Sequence, residues 1–503
     1  MATNSPCITS TSPPPPTFLR KQRTVLSYGL GADSTDILLR YLADPAGHGL
    51  EPDLSDLVVV HAVTGDEWPT TLDYVNRLVL PRLRAANVRL VQIARGGPHD
   101  ADGVLILSDS RATERILSAG PWRLSDELTA AGTIPQLANG RRTCSIRFKG
   151  WCLDNWAESE FGNESYRRVI GYHYGELGRA EKDSAIQRKV NAEAGRTICE
   201  PHYPLILACL DRAAIEAHVL QQLGEPIQKS YCTFCVFSGV CASRDVHEER
   251  LRGHPHLAAD VLRMEHVSMA LNENMAMYGG DSLYRRLSED GRNTEIMTAF
   301  EQSLDQARYA VYEVRRIIPV GRTKDCKTWH GPKCTTPRWW CRQERTTRCR
   351  RHHGVINAAG AEVTPTYCDG PDGCRGPVKK GQAWRSLRTL WEGDRATAQL
   401  LVRRYAQRHG AHLERGELSG IERAHYVKPG DSYPSTAGYL VAAPAGAVDK
   451  QRPRFETKWS ELTGRKGTSL RPLRPLPQPV RRRNPGRPPV RRARTIAGVT
   501  LIA

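Results

Sequence analysis

Residues 57–63, L-V-V-V-H-A-V, constrain this chain most. So dense a run of β-branched residues reads as a strand covered on both faces, the habit of parallel sheets. The short apolar run that opens at Thr24 and the stretch Val88–Ile93 read as strands too, with helical patterns between them at Asp36–Ala43 and at Thr70–Ala86, the second bent at Pro81. Strand, helix, strand, helix, strand predicts an α/β fold with a doubly wound, mostly parallel sheet. Tyr166–Tyr172 reads as a further strand and Asp211–Leu223 as an amphipathic helix, while residues 95–140 read as one or two helices and a loop around Pro135.

The first strand runs into S-Y-G-L-G-A-D-S-T, Ser27 to Thr35. Gly29 and Gly31 lack a Cβ and so let a phosphate approach the backbone. Ser27, Ser34 and Thr35 add hydroxyls, and a helix starting near Asp36 turns its positive end toward an anion. No lysine follows the glycines, which excludes the common G-x-x-x-x-G-K-[ST] loop. A tight turn with no ligand is the plainer alternative. Thr64-Gly65-Asp66-Glu67 closes the second strand, at the sheet end where ligands bind in α/β proteins. Arg141 to Lys149 packs four cations and a cysteine into nine residues. It is either a solvated basic turn or a phosphate or sulfate grip through Arg142 and Lys149. Cys232-x-x-Cys235 with Cys241 six positions on has the spacing by which thiolates converge on a metal or cluster; buried free thiols are the alternative.

Charge divides the chain. Residues 321–503 carry 37 Lys and Arg against 14 Asp and Glu, leaving 35 against 40 for residues 1–320. An ordinary globular part thus precedes a basic appendage suited to nucleic acid. The organisation expected is a disordered leader over 1–22, a nucleotide-binding domain over 23–245, and a helical extension over 246–320. A basic Cys- and His-containing domain follows over 321–450, then an Arg/Pro-rich disordered tail over 451–503. Cys326, Cys334, Cys341, Cys349, His352, His353, Cys368 and Cys374 make zinc an expectation for the basic domain, and Gln382–His409 reads as a cationic helix. In the tail, Gly486-Arg487-Pro488 between basic flanks resembles an AT-hook. No run of eighteen apolar residues exists, so no membrane span is expected. Without a secretory leader, fourteen cysteines point to a reducing, cytoplasmic setting.

Taken together, residues 23 to about 270 resemble the phosphoadenosine phosphosulfate reductase family of the PP-loop ATP pyrophosphatase superfamily. The Ser27–Thr35 loop is similar to that family's S-x-G-x-x-S loop, in the lengthened form of phage and actinobacterial reductase-like proteins. Thr64–Glu67 resembles its T-G-x-E, Arg142 to Lys149 its R-x-C-[CT]-x-x-x-K segment, and Tyr203-Pro204-Leu205 with Lys229 to Cys235 its Y-P-L and K-S-x-C-x-x-C. In the G-x-R-x-x-E-S-x-R segment Gly171, Glu176 and Arg179 agree, whereas His173 replaces the first arginine and Leu177 the serine. The family's E-C-G-x-H segment has no counterpart, and no cysteine follows Cys374.

The resemblance implies an adenine nucleotide alpha-hydrolase-like fold that binds ATP or a sulfonucleotide. It implies catalytic roles for Arg142, Lys149, Glu176 and Arg179, and nucleotide contacts from Ser27, Gly29, Gly31, Asp33, Ser34, Thr35, Thr64, Gly65, Glu67 and Gly171. Asp33 is also a candidate for Mg²⁺. Cys144, Cys232, Cys235 and Cys241 would hold a 4Fe–4S cluster, or zinc in its place. A related branch works in sulfur modification of DNA, so adenylation and sulfur transfer on nucleic acid is the leading expectation, with a thiol donor or sulfur-carrier protein as further partner. A sulfonucleotide reductase using an external thiol and a non-catalytic nucleic-acid-binding protein are the alternatives.

Overall fold

The computed structural model describes residues 22–135, 137–138, 141–237, 243–321, 379–430 and 433–464. The leader, Cys241, the Cys- and His-rich stretch from Cys326 to Cys374 and the AT-hook-like segment lie outside these residues.

In chain order the first strands are β1 (Thr24–Ser27), β2 (Leu57–Ala62), β3 (Arg89–Arg95), β4 (Val104–Ser110), β5 (Leu137–Ala138), β6 (Arg141–Arg142), β7 (Tyr166–Val169) and β8 (Cys199–His202). One sheet has the order β4-β3-β2-β1-β7-β8, parallel except for the antiparallel edge β4. The chain winds outward from β1 through β2 to β3, then returns to place β7 and β8 on the other side of β1. Such a reversal opens a crevice outside the carboxyl ends of the strands that flank it.

Alternation along the strands builds the core on both faces. Leu26, Leu57 and Val59 pack with the helix Ala32–Ala43, residues of the 69–85 helix and the helix Arg212–Leu223. Val25, Val58 and Val60 pack against the helix Trp151–Phe161. Every residue of β2 is buried, as expected for a strand paired in parallel on both sides. The bend expected at Pro81 is a π-helical turn, Val75–Val79. A proline offers no amide hydrogen and crowds the carbonyl four residues back, and the wider turn absorbs both effects. Residues 95–140, expected to be helix and loop, instead add β4 before the helix Leu124–Ala131.

A second sheet, wholly antiparallel, is built from β9 (Tyr309–Ile318), β12 (Trp384–Gly393), β13 (His412–Arg415), β14 (Glu422–Val427) and β15 (Ser435–Pro444), in the order β12-β9-β15-β14-β13. The short pair β10 (Val320–Gly321) and β11 (Lys379–Lys380) prolongs the β9–β12 hairpin, so residues 322–378 are inserted at its end. The helix Pro255–Leu271 covers one face through Val267, Ala270 and Leu271, and the helix Arg395–His409 covers the other through Ala398, Leu401 and Val402.

Three expectations are corrected here. The helix read over Gln382–His409 starts only at Arg395, and Trp384–Gly393 is a strand. Leu387 and Leu390, whose spacing of three looks helical, face opposite clusters by the strand's own alternation, and a bulge between Thr389 and Trp391 lets Leu390 and Trp391 pack on the same one. Tyr309–Ile318, read as part of a helical extension, is the central strand β9. The start of the tail read as disordered holds the helix Phe455–Thr463, whose buried Phe455 and Trp459 pack on Ile317. The Arg315 guanidinium lies beside both rings, 5.2 Å and 5.7 Å from their centroids, and pairs with Glu456 at 2.8 Å.

Candidate functional site

The loop after β1 folds back on itself. Gly29 N–H donates to Ser34 Oγ at 3.3 Å, Ser34 Oγ donates to Gly31 O at 3.2 Å, and Thr35 Oγ1 lies 3.2 Å from Tyr28 Oη. Ser34 and Thr35 therefore shape the loop, and Ser27 ends β1 half-buried. Leu30 takes φ +58°, a left-handed conformation uncommon for a branched side chain. A Cβ built on Gly29 meets nothing within 4 Å, so the loop has open space above it. The first-turn amides of Ala32, Asp33 and Ser34 have no helical carbonyl behind them and point the same way by helix geometry. Gly171, just past β7, presses on this first turn: its Cβ would stand 3.0 Å from Asp33 Cβ and from Ser34 N.

Charged groups gather around Asp33. Arg212 Nη1 donates to Asp33 Oδ2 at 2.8 Å, while Oδ1 is buried without a hydrogen-bond partner. Burial raises the Asp33 pKa above its ordinary value despite Arg212, and His173 and Glu176 lie within electrostatic reach. His173 Nδ1 accepts from Gly175 N–H at 3.1 Å; Glu176 pairs with Arg179, whose guanidinium lies 4.6 Å from the Tyr172 ring centroid. Lys229 feels Arg212, Asp33, Glu176 and Arg142, and burial is the largest of the influences that lower its pKa. Its neighbour Ser230 ties the segment to the loop by donating to Gly29 O at 2.9 Å.

The opposite wall is the turn after β2. Gly65 has φ +90°, and a Cβ there would come within 2.6 Å of Arg123 Cγ. Thr64 Oγ1 donates to Glu67 Oε1 at 2.6 Å and lies 3.6 Å from Cys232 Sγ; Glu67 and Cys232 also form a backbone bridge. Burial pushes the Asp66 carboxyl up to about 7 although its Oδ2 accepts from Ser125 N–H at 2.8 Å. His61 is enclosed in β2 with Nδ1 3.0 Å from Tyr28 O. A carbonyl only accepts, so Nδ1 carries the hydrogen and Nε2 presents a lone pair. Burial lowers the His61 pKa and keeps the ring neutral, with Glu67 and Lys149 within electrostatic reach. His61 Nε2 and Glu67 Oε2, like Asp33 Oδ1, are buried without a partner among the described residues. An orphaned buried acceptor costs about 1–3 kcal/mol, so three beside one crevice favour a donor or cation entering there.

Aromatic anchors hold these segments together. Trp68 beside Glu67, Phe148 beside Lys149 and Phe234 beside Cys235 are all buried in one apolar cluster. Gly29, Gly31, Asp33, Thr64, Glu67, Lys149, Gly171, Glu176 and Arg179 thus belong to segments that meet at the reversal in the sheet. Arg142 is exposed, 4.8 Å from the Phe237 ring centroid. Sequence reasoning missed Arg212 and His61, and it named Asp66 only as part of the Thr64–Glu67 cluster. A cation in the first turn of a helix, against its dipole, and a histidine inside an apolar strand were the available signals.

The thiols form an incomplete set. Cys144 and Cys232 border the same apolar cluster, and Cys235 N–H donates to Cys232 O at 2.9 Å in a tight turn. Burial raises the pKa of both the Cys144 and Cys232 thiols, keeping them protonated. Among the described residues no three His, Cys, Asp or Glu side chains come close enough to hold a metal ion, and Cys241 lies outside those residues. The described thiols alone therefore do not fit a cluster. A cavity of about 450 Å³ borders Leu30, but polar groups on its wall already pair with each other, Tyr74 with Glu225 O and Arg77 with the Glu225 carboxylate. No helix among the described residues is long and apolar enough to cross a membrane. Comparison with protein-family models, with curated proteins and with solved structures finds no match to this chain, so the assignment of the site rests on the geometry above.

Proposed function

We propose that the crevice binds the phosphates of ATP or a sulfonucleotide, in the manner of an adenine nucleotide alpha-hydrolase-like domain, and that the chain is a PP-loop enzyme acting on nucleic acid. One observation carries this reading: the glycine loop is open above Gly29, its helix start holds the orphaned Asp33 oxygen within electrostatic reach of Lys229, and the end of β2 holds the orphaned His61 nitrogen and Glu67 oxygen near Lys149. A phosphate chain would lie on the loop amides, with Lys149, Lys229 and Arg142 offsetting its charge. Glu67 and Glu176 would orient ribose or base, and the free oxygen of Asp33 is available to Mg²⁺.

The chemistry that fits is adenylation. An oxygen of the acceptor attacks the α-phosphate, the bond to the bridging oxygen breaks, and pyrophosphate leaves with that electron pair. Cationic groups fixed before the reaction lower the barrier by meeting charge as it develops. The acceptor would be DNA, drawn by the excess of Lys and Arg in residues 321–503. No step here uses a metal cluster.

Pyrophosphate release from ATP by the full chain, with and without duplex DNA, tests the reading. DNA-stimulated release supports it. Sulfite formed from a sulfonucleotide and an added thiol replaces it with reductase chemistry, and absence of both products leaves a binding protein.

A further inference from the structure

Glu127, on the helix Leu124–Ala131, is not part of the crevice, yet it and its helix hold both the Thr64–Glu67 turn and the turn that carries Lys149. Its buried carboxylate accepts from Arg147 Nη1 at 2.5 Å and from Trp122 Nε1 at 3.3 Å, and Lys450 Nζ lies 3.5 Å from its Oε1. Arg147 is two residues before Lys149 in the same π-helical turn, Ile146–Gly150. At the start of the Glu127 helix, Leu124 N–H donates to Thr64 O at 2.9 Å and Ser125 N–H to Asp66 Oδ2 at 2.8 Å. A single short helix therefore grips the Thr64–Glu67 turn with its first amides and the Lys149 turn with its glutamate.

The far end of that helix belongs to the second sheet. Arg385 of β12 donates to the terminal carbonyls of Ala131 and Gly132 at 2.5 Å and 3.2 Å, and Val448 N–H donates to Ala130 O at 2.9 Å. Gly132 ends the helix at φ +53°, where a Cβ would collide with Leu271 at 2.3 Å. Rotation or sliding of the helix would break contacts at both ends. Burial alone would raise the Glu127 pKa, but Lys450 and Arg147 hold it below its ordinary value, so the charge that maintains the grip persists at neutral pH.

We propose that Glu127 is a positioning residue that sets Lys149 against the Thr64–Glu67 turn, and that Lys450 ties this setting to the C-terminal sheet. That Lys149 meets a nucleotide rests on the function proposed above; the mechanical link does not. The test is hydrogen–deuterium exchange on the full chain for wild type, Glu127→Gln, Glu127→Asp, Lys450→Met and Glu127→Gln/Lys450→Met, alongside titration with Mg·ATP. Glu127→Gln and Lys450→Met are expected to speed exchange at residues 64–67, 124–125 and 146–150 by about five-fold, leaving the β1 and β2 amides unchanged. Glu127→Asp restores part of the protection, and the double variant exchanges no faster than Glu127→Gln alone. In nucleotide-binding protein the same variants weaken affinity by about five-fold.

Lys450 is half-exposed, so its variant reports even where Glu127→Gln fails to fold. Unchanged exchange in these three segments, acceleration spread evenly over the chain, or additive effects in the double variant would each overturn the proposal. A wild type that binds no ATP but shows the local exchange pattern defeats the nucleotide reading and leaves the positioning role standing.

Discussion

Replacing Gly29 by alanine separates ligand binding from folding more cleanly than any other single change. The added methyl meets no atom within 4 Å, and the Gly29 φ is not in the left-handed region, so the folded chain accepts it without strain. Glycine-to-alanine changes at compatible positions stabilise by about 0.4–1 kcal/mol through the unfolded chain. For a chain of 503 residues, whose unfolding entropy is about 1 kcal/mol/K, that leaves the melting temperature unchanged or raised by at most about 1 °C. A phosphate oxygen bound to the loop amides needs the same space. Losing one hydrogen bond to a charged group costs about 1.5–3 kcal/mol, or roughly 10- to 100-fold in affinity. Calorimetric titration with Mg·ATP, beside a thermal scan of the same samples, measures both quantities. Gly171→Ala is the opposite control. Its methyl would meet backbone at 3.0 Å, and overpacking of this kind costs about 1–3 kcal/mol, so this variant melts about 1–3 °C lower. An alanine at position 29 that binds ATP as wild type does, with melting unchanged, refutes the phosphate loop.

Three further outcomes are expected. Asp66, raised from 3.8 to about 7, binds its proton more tightly in the folded chain than in the unfolded one. Its contribution is therefore present in acid and is lost as pH rises from about 4 to 7, by up to about 4 kcal/mol. Denaturant titrations of Asp66→Asn should lack this part of the slope, and identical slopes for variant and wild type would dismiss the buried acid. Removing residues 465–503, which hold 11 Lys and Arg and no Asp or Glu, leaves both sheets intact and should flatten the salt dependence of DNA binding; an unaltered slope would place the contact elsewhere. If Cys241 completes the thiol set, anaerobically purified protein is brown and Cys235→Ser bleaches it. Colourless wild type holding one zinc would count against an iron–sulfur cluster.

The α/β core was legible because its signals are local. Val58, Val59 and Val60 declare a doubly buried strand wherever they occur, and a glycine pair after a short strand declares a turn. The Trp384–Gly393 strand was not legible, since Leu387 and Leu390 stand three apart, a spacing that a helix face shares. Phe455 and Trp459 were hidden for another reason: two apolar side chains in a polar stretch reveal burial only when β9 and Arg315 are seen to receive them. At the site, the sequence named the segments, but their meeting depends on Trp68, Phe148 and Phe234 sharing one cluster, a long-range fact with no local pattern. Arg212 shows the same limit, because its partner Asp33 is 179 positions away.

The β10–β11 pairing joins Gly321 to Lys379, so the residues inserted between them leave and re-enter the fold at neighbouring strands. Strand neighbours stand about 5 Å apart, a gap that a two-residue turn spans. A two-residue turn between these two points would therefore be long enough to close the hairpin of β9 and β12.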